Sequence, residues 1–371
     1  MPLRTAAQLN REVLAPLKAR FVAKDDIIDL MGLALVAGEN LFLLGPPGTA
    51  KSALVHALAG MIDGRSFDYL FTRFTEPNEI FGPFDIRRLR DGELITNTEG
   101  MLPEAHFAFL DEILNANSAV LNSLLGVLNE RVFRRGRDSR PMPLLMAVGA
   151  SNHLPEEEAL RALFDRFLLR VRCDKVPEPR LGEVLAAGWR LEAERDTPRC
   201  SIRADDIRDL QSAVRKVDLD AALPGLIELI GRLRQAGLAL SDRRAVKLQK
   251  LVAASALLCG RVEAQASDLW PLRHIWDAEE QREVLMGIVE DFLSRQAPSD
   301  SAHPRSLLAS KPVPEELARL IDELRRRLAA ASASERPALL DQAARLAARL
   351  EWLESPTARD HLRPLVQQLL K

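Results

Sequence analysis

The fold of this chain is decided by the stretch Leu41-Phe42-Leu43-Leu44-Gly45-Pro46-Pro47-Gly48-Thr49-Ala50-Lys51-Ser52. Its first four residues form a short apolar run closed by a glycine, which predicts a buried parallel strand. Small residues then lead to a lysine and a serine, where an alanine-rich helical pattern begins. We interpret this strand, loop and helix as a phosphate-binding loop, because successive N–H groups and a helix N-terminus attract an anion.

The residue types of this loop each have a physical reason. Gly45 and Gly48 permit backbone conformations that a Cβ would obstruct. Lys51 supplies a positive charge to the β- and γ-phosphate oxygens of a nucleotide, and the Ser52 hydroxyl is placed to bind Mg²⁺. The predicted nucleotide-binding residues of the loop are Gly45, Pro46, Pro47, Gly48, Thr49, Ala50, Lys51 and Ser52.

Ala50 departs from the usual pattern G-x-x-x-x-G-K-[ST], which has glycine immediately before the lysine. We expect its Cβ to be tolerated through a negative φ. Taken alone, the stretch is also compatible with a glycine turn between an unrelated strand and helix, so the interpretation depends on motifs further along the chain.

A second strand pattern, His106 to Glu112, ends in two carboxylates. Because α/β sheets bind ligands at the carboxyl ends of their strands, we expect this acid pair to face the same crevice as the loop. Asp111 would bind Mg²⁺ directly or through its water shell, and Glu112 would polarise the water that attacks the γ-phosphate. Such a pair can also be a helix N-cap with a first-turn charge, but its combination with Lys51 and Ser52 favours the catalytic reading.

Two polar residues next to later strand patterns are further candidates. Asn152 follows the strand predicted from Leu144 to Ala150, where its amide can help to hold the attacking water or can cap the next turn. Arg166 precedes the strand predicted from Leu168 to Val171. It either pairs with Asp165 in its own subunit or reaches the γ-phosphate bound to the next subunit as an arginine finger.

Arg243 and the pair Phe21-Val22 complete the candidate site. Arg243 lies in the first turn of a helix that Ser241 or Asp242 caps, where it can reach over a nucleotide or decorate the surface. Phe21-Val22 lies in a turn between two helical patterns and can either line the adenine or belong to the core.

Two short β excursions interrupt the α/β pattern. Phe84 to Gly100 contains the hairpin signal Arg90-Asp91-Gly92-Glu93, and Arg131 to Arg140 forms a second predicted hairpin. The second one is arginine-rich. The arginine side chains of this second hairpin can form a solvated face, or can contact a neighbouring subunit, a partner or nucleic acid. The arginines are Arg131, Arg134, Arg135, Arg137 and Arg140.

Composition narrows the class of protein. The 51 basic and 53 acidic residues give a net charge of −2, so no global positive field is present to hold nucleic acid. Three cysteines lie far apart without C-x-x-C spacing, which speaks for a reducing compartment and against a zinc site. Neither a signal-peptide pattern nor a run of about 20 apolar residues is present, so we expect a cytoplasmic protein without direct membrane insertion.

The length of 371 residues predicts two or three domains. We expect an α/β nucleotide-binding core with a parallel sheet flanked by helices over residues 1–178. Helical spacing without strand signals then predicts an all-α lid over 179–296. A linker-like stretch leads to amphipathic helical stripes, which predict a helical C-terminal tail over 297–371.

Together these residues resemble the MoxR family of AAA+ ATPases, and most closely its RavA branch, in which alanine at position 50 is usual. The resemblance covers roughly Leu9 to Phe292. Its carriers are Gly45 to Ser52, Phe81-Gly82-Pro83, Leu102-Pro103-Glu104-Ala105, Phe109-Leu110-Asp111-Glu112-Ile113, Leu128-Asn129-Glu130-Arg131, Ala150-Ser151-Asn152, Asp165-Arg166-Phe167 and Ser241-Asp242-Arg243-Arg244.

The resemblance implies a role for each candidate residue. Asn152 would be sensor 1, Arg166 the finger acting across a subunit interface, and Arg243 sensor 2. The family further implies a hexameric ring that couples ATP hydrolysis to remodelling or maturation of client proteins, usually beside a von Willebrand A-domain partner. This chain departs from RavA proteins in one respect. They carry an extra domain with β-structure near the C-terminus, whereas the tail predicted here is helical. Partners that depend on that domain therefore cannot be inferred for this chain.

The sequence therefore predicts a Mg²⁺-dependent ATP hydrolase of the AAA+ type. A DNA-acting motor is an alternative, since related rings unwind DNA and the arginine-rich hairpin can face a pore. A second alternative is a scaffold that binds nucleotide without turnover, against which the intact Asp111-Glu112 pair argues.

Overall fold

The computed structural model describes residues 2–85, 95–135, 138–193, 201–296, 303–307, 314–330 and 356–369, with single helical residues between 336 and 346. Packing divides the chain into two compact units, Met1–His303 and Pro304–Lys371. The core and the lid predicted from the sequence both lie in the first unit, and their boundary at residue 178 stays a prediction.

The strands of the first unit build one large sheet and two small ones. Their bounds are β1 Leu41–Leu44, β2 Ile62–Asp63, β3 Ser66–Leu70, β4 Phe107–Asp111, β5 Val132–Arg135, β6 Asp138–Pro141, β7 Met146–Ser151, β8 Leu169–Arg172 and β9 Ile202–Arg203. The large sheet is parallel and has the order β3-β4-β7-β1-β8. Because parallel strands align their carboxyl ends, the segments that follow β1, β4 and β7 meet at one edge.

Burial on both faces explains why the central strands are continuous apolar runs. Every residue of β1 and β7 is buried. On one face, Phe42 packs edge-on against Phe164 and Phe167, with ring centroids 4.9 and 5.4 Å away. A Cβ at Gly149 would lie 2.7 Å from the Phe167 ring, so glycine lets this aromatic cluster approach the sheet.

Helices surround the sheet and build the lid. In the α/β part they are α1 Pro2–Leu9, α2 Ala15–Arg20, α3 Asp25–Ala37, α4 Lys51–Gly60, α5 Pro77–Phe81, α6 Ser118–Glu130 and α7 Glu158–Phe164, with a π-helical turn at Asn10–Leu14. After β8 the helices are α8 Leu181–Ala193, α9 Ala204–Val214, α10 Leu223–Gln235, α11 Asp242–Leu258 and α12 Glu279–Ser294, with a 3₁₀ segment at Ala266–His274. The two-residue strand β9, which pairs with β2, lies within the stretch 179–296 that the sequence predicts to be all-helical. This arrangement confirms the predicted class, an α/β core with a parallel sheet followed by an all-α lid.

Several element boundaries differ from those the sequence predicts, and two of the differences have a clear physical cause. The apolar residues from Phe67 to Phe74 predict a strand over that stretch, but β3 ends at Leu70, because Thr75 Oγ1 accepts the Thr72 N–H at 2.9 Å and closes a turn. Helical spacing predicts a helix from Asn115 to Glu130, but α6 starts at Ser118. Asn117 caps it by accepting the N–H groups of the second and third helical residues.

The two β excursions are described in part. An antiparallel bridge joins Phe84 to Thr96 at the base of the first excursion, and its predicted turn Arg90-Asp91-Gly92-Glu93 lies outside the described residues. β5 and β6 pair antiparallel, which confirms the second predicted hairpin. Arg137, at its tip, lies outside the described residues.

The second unit is helical where it is described. Its helices are α13 Pro304–Leu307, α14 Pro314–Ala330 and α15 Pro356–Leu369. A separate apolar cluster holds this unit together. The buried members are Leu317, Ile321, Leu324, Leu339, Ala343, Leu346, Leu362, Val366 and Leu369. The sequence predicts that the first two amphipathic helices of this tail join near Ser332-Ala333-Ser334, which lies outside the described residues. Across the described part of the chain, no helix is both long and apolar enough to cross a membrane.

Candidate functional site

The loop after β1 is shaped by close backbone contacts. The Gly45 N–H donates to Ser151 O at 3.0 Å, and a Cβ on Gly45 would lie only 2.2 Å from Cys173 O. Only glycine fits between these neighbouring strand ends. Gly48 has φ +77°, the left-handed region that glycine adopts without strain.

Ala50 corrects the prediction of a negative φ, because its φ is +68°. The chain must reverse sharply at this residue before α4 begins, and its carbonyl already accepts the Leu54 N–H at 3.0 Å. A residue with a Cβ in the left-handed region costs about 1–2 kcal/mol, so Ala50 is a site of local backbone strain.

The loop folds around its own lysine. Lys51 is 7% exposed, and its Nζ donates to Gly45 O at 2.6 Å and to Pro46 O at 3.1 Å. Thr49 Oγ1 also donates to Pro46 O, at 2.9 Å. Pro46 and Pro47 have no N–H group. The amides available to an anion are therefore those from Gly48 to Ser52, at the start of α4.

The acid pair stands at the carboxyl end of β4. Asp111 is the last strand residue, and its Oδ1 accepts the Glu112 N–H at 3.0 Å. Glu112 has a left-handed backbone with φ +48°, which turns the chain away from the strand. Both carboxylates are half-buried.

Sheet order brings the loop and the acid pair together. β7 lies between β1 and β4, with Leu44 opposite Ser151 and Leu110 opposite Gly149. Neighbouring strands lie about 4.8 Å apart, so the ends of β1 and β4 are separated by roughly 10 Å, a gap that a triphosphate can bridge. The predicted meeting of the Lys51 loop with Asp111 and Glu112 at one sheet edge is therefore observed.

At the end of β7 the contact to the acid pair comes from a residue that sequence reasoning missed. Ser151 is fully buried, and its Oγ donates to Glu112 Oε2 at 3.4 Å. Asn152, the predicted residue, is exposed and makes no hydrogen bond within the described part of the chain. Alternation along a strand could have signalled this, since consecutive side chains point to opposite faces.

The turn at Phe21-Val22 is linked to the loop through β8. Phe21 is buried at the end of α2, and Val22 is half-buried. Two residues on, Lys24 Nζ donates to Asp174 O at 2.6 Å and lies 3.6 Å from Cys173 Sγ. That thiol in turn donates to Thr49 O at 3.2 Å. The turn therefore lies close to the phosphate loop, and sequence patterns gave no sign of the Lys24–Cys173 link.

Arg166 lies at the opposite edge of the sheet from the loop of its own chain. It precedes β8, and its carbonyl accepts Asn40 Nδ2 just before β1 starts. β1 has four residues, about 13 Å of strand, which is longer than an arginine side chain. The Arg166 Nη1 pairs with Asp165 Oδ2 at 3.2 Å. The guanidinium cannot reach a phosphate held by its own Lys51 loop.

Arg243 is exposed in the first turn of α11, where Ser241 Oγ accepts the Arg244 N–H at 3.3 Å. Arg244 ties this turn to Asp165 and Asp277 rather than to the residues of the loop, as far as the described contacts go. The expectation that Arg243 reaches over the nucleotide of its own loop has no described contact to support it.

A glycine loop on β1, an acid pair on β4 with one strand between them, and a helical lid define a AAA+ ATPase fold. Comparison with known families specifies the branch. A family described as the MoxR domain in the MoxR-vWA-beta-propeller ternary systems matches residues 7–212, and an AAA lid domain matches residues 223–289. This chain belongs to the MoxR family of AAA+ ATPases.

Individual proteins are similar to this chain over different shares of its length. An uncharacterized protein of Methanocaldococcus jannaschii is 37% identical over 283 residues, which cover 76% of this chain and 73% of the relative. The chaperone MoxR1 of Mycobacterium tuberculosis is 31% identical over 158 residues, which cover 42% of this chain and 41% of that protein. The crystal structure of a candidate ATPase from Cytophaga hutchinsonii has a TM-score of 0.64 at 18% identity, covering 81% of this chain and 97% of that one, which shows a shared fold.

Proposed function

We propose that this protein hydrolyses ATP in the presence of Mg²⁺ and uses the energy to remodel or mature partner proteins. The single observation that carries the proposal is the acid pair Asp111–Glu112, placed one strand away from the Lys51 loop at the same sheet edge. That arrangement supplies a phosphate cradle, a cation and a base at one location, which are the parts that phosphoryl transfer to water needs.

The chain's own residues fit these roles. The free amides from Gly48 to Ser52 and the start of α4 bind the phosphates, while Lys51 neutralises their charge. Glu112 accepts the proton of the attacking water, with Ser151 donating to its carboxylate and holding it in place. We further propose that Asn152 orients this water and that Phe21 and Val22 line the adenine.

The donor set also fits Mg²⁺. Ser52 supplies a hydroxyl and Asp111 has one carboxylate oxygen beyond the one used by the Glu112 amide. Mg²⁺ is usually held by one or two protein oxygens, waters and the nucleotide's phosphates, so these two residues suffice on the protein side. When bound, the ion neutralises charge that develops on the phosphates.

Arg166 leads us to propose a ring, with a hexamer as the expected assembly. Because this arginine lies at the sheet edge away from its own loop, it acts on the nucleotide of an adjacent subunit as a finger. We assign Arg243 the sensor role in the same cycle.

The partners proposed are client proteins and a von Willebrand A-domain protein. Support comes from the matched family's description, which names MoxR–vWA systems, and from a relative whose name is chaperone MoxR1. Membership of the RavA branch, a cytoplasmic location and the division into residues 1–178, 179–296 and 297–371 remain predictions from the sequence.

The test is the rate of phosphate release from ATP by the purified protein and three variants. Lys51→Ala should abolish ATP binding. Glu112→Gln should keep binding and lose at least ~100-fold in turnover, because a positioned base contributes 10²–10⁴-fold. Glu156→Gln, the same change at an exposed loop position, should retain the wild-type rate. An unchanged rate in Glu112→Gln would contradict the proposal and favour the non-hydrolysing scaffold.

The DNA-motor alternative loses support from the arginine-rich hairpin. Arg131 is half-buried and donates to Gly38 O, Asn40 Oδ1 and Leu144 O, and Arg134 pairs with Glu130. Arg135 stacks on the Phe84 ring, and Arg140 lies over the Phe133 ring. The described arginines of this hairpin are therefore engaged within the chain.

A further inference from the structure

A chain of alternating charges joins the sheet to the lid. Arg166 Nη1 lies 3.2 Å from Asp165 Oδ2, and Asp165 Oδ1 lies 3.9 Å from Arg244 Nε. Arg244 Nη1 then contacts both oxygens of Asp277, at 2.9 and 2.8 Å. Asp277 Oδ1 finally lies 2.9 Å from Nη1 of Arg170 on β8. Two carboxylates thus link three arginines.

Two arginines of this charge cluster are buried, whereas its carboxylates are partly exposed. The Arg170 side chain is fully buried and that of Arg244 is 6% exposed, whereas those of Asp165 and Asp277 are 41% and 34% exposed. Burial, followed by the nearby Arg244 charge, lowers the pKa of Arg170 to about 9. Three guanidinium groups against two carboxylates leave one excess positive charge, so neutralising either carboxylate increases the repulsion among the arginines.

Backbone contacts extend the cluster into the lid. Arg170 Nη1 also donates to Trp276 O at 2.9 Å, and its Nη2 donates to Phe164 O at 3.2 Å. The same guanidinium therefore holds the segment before Asp165 and the lid segment that carries Asp277. On the same strand, Arg172 forms an ion pair with Glu279 at the start of α12.

One candidate catalytic arginine belongs to this cluster, and a second one adjoins it in the sequence. Arg166 follows Asp165 directly, and Arg243 precedes Arg244 in the first turn of α11. Asp165 contacts the side chains of both Arg166 and Arg244, so a single carboxylate lies between the two arginine-bearing segments.

We propose that Asp165 and Asp277 are positioning residues that set the Arg166 finger and the Arg243 turn in one arrangement. Asp165 orients Arg166 toward the adjacent subunit and holds the start of α11 beside it. Asp277 fastens that same turn to β8. This inference rests on the proposed ATPase function. It adds that Arg166 and Arg243 move together.

The two carboxylates predict different effects when neutralised. Asp165→Asn leaves Arg244 paired with Asp277, so the fold stays intact while Arg166 loses the charge that orients it. Asp277→Asn leaves two buried arginines sharing a neutral partner, which lowers stability as well. Asp165 is therefore the sharper test.

The experiment measures kcat and KM for ATP with the full-length protein. Asp165→Asn should lower kcat about tenfold or more with KM unchanged, because a misplaced catalytic group costs up to about 100-fold in rate. Asp165→Glu, which keeps the charge, should recover part of the loss. The matched control is Asp291→Asn, a 39% exposed carboxylate that bridges Arg232 and Arg295 away from this cluster and should keep wild-type kcat.

Subunit mixing separates a finger effect from general damage. Lys51→Ala subunits bind no ATP but keep an intact finger, and Asp165→Asn subunits have an intact phosphate loop. A mixture of the two should hydrolyse ATP faster than the sum of its parts, because one subunit completes the pocket of the other.

The outcomes are distinct. Wild-type kcat in Asp165→Asn overturns the inference while the proposed function stands. A loss of kcat together with a lower melting temperature and no recovery on mixing means a structural role and also overturns it. Inactivity of the wild-type protein under the same conditions instead refutes the proposed function, and this inference with it.

Discussion

At the scale of single residues, Ala50 has a strained backbone. Its φ of +68° places a Cβ where the phosphate-loop pattern usually has glycine. The structure keeps this conformation because the chain must pass from Gly45, wedged against Cys173, into the first turn of α4 within a few residues. Strain in a phosphate loop is typical of functional segments, which larger packing forces hold in place.

Ala50→Gly is expected to stabilise the protein. Removing the left-handed penalty of about 1–2 kcal/mol outweighs the extra chain entropy of glycine, about 0.5–1 kcal/mol, so the free energy of unfolding should rise by about 0.5–1 kcal/mol. Denaturant unfolding measures this. The control Ala53→Gly makes the same change at an exposed helical position of α4 and should lower stability by about 1 kcal/mol. If both variants changed the free energy of unfolding in the same direction, Ala50 would not be strained.

His106 predicts a pH dependence. Its Nδ1 accepts the Arg65 N–H at 3.0 Å. The pKa of the imidazole is lowered below 6.5, mainly because the ring is partly buried and further because the positive charges of Arg208 and Arg65 are close. A lowered folded-state pKa means that the unfolded chain binds the proton first, so the stabilisation is complete above pH 6.5 and is lost as the pH falls through the folded-state value.

His106→Asn keeps an acceptor for Arg65 and cannot titrate. Its melting temperature should therefore fall less between pH 7 and pH 5 than that of the wild type. Parallel curves for the two proteins would show that His106 does not contribute to the acid sensitivity.

At the scale of elements, the cap of α6 connects local and tertiary structure. Asn117 Oδ1 accepts from Ala119 and Val120, while its Nδ2 donates to Thr75 O at 2.7 Å. One side chain therefore starts the helix that follows the acid pair and ties it to the segment after β3.

Replacing Asn117 separates these two contributions. Asn117→Ala should cost about 2 kcal/mol of stability, about 1 for the lost cap and a similar amount for the unpaired Thr75 carbonyl. Asn117→Asp retains the cap and should lose less. Ser123→Ala, on the exposed side of the same helix, should stay within about 0.5 kcal/mol of the wild type. Equal losses for Ala and Asp at position 117 would show that the cap contributes nothing.

The elements that the sequence predicted best have strong local signals. β1 has the predicted bounds, and β4 ends at the predicted acid pair, because an apolar run bounded by glycine or by charge leaves little choice. β3 was predicted too long, since the Thr72–Thr75 turn that ends it is made by a side-chain hydrogen bond. The contact of Ser151 with Glu112 was missed because it depends on which face of β7 the acid pair approaches.

At the scale of the whole molecule, two apolar clusters divide the chain. Among the described residues, the large cluster ends with Phe292 and the partly buried Leu293, and the small one begins at Leu317. Each cluster is built from residues of one compact unit only. Because burial of apolar surface is the main source of stability, each unit's stability comes from its own cluster.

A chain ending at His303 is therefore expected to fold and to bind ATP. Its main thermal transition should lie within a few degrees of that of the full-length protein, as calorimetry measures, because the large cluster stays complete. The full-length protein serves as the reference for ATP affinity. A fall of more than about 10 °C, or loss of ATP binding, would show that the first unit depends on residues 304–371.

The sequence by itself determined the phosphate loop, the acid pair, the α/β core and the helical lid, because these depend on short-range patterns of apolar, glycine and charged residues. Only the tertiary structure decided the left-handed Ala50, the contact of Ser151 with Glu112, and the cluster that joins Asp165 and Arg170 to the lid. The physical reason is that these features depend on contacts between segments distant in the sequence, such as Glu112 with Ser151 and Arg170 with Asp277, and local patterns do not specify which segments meet.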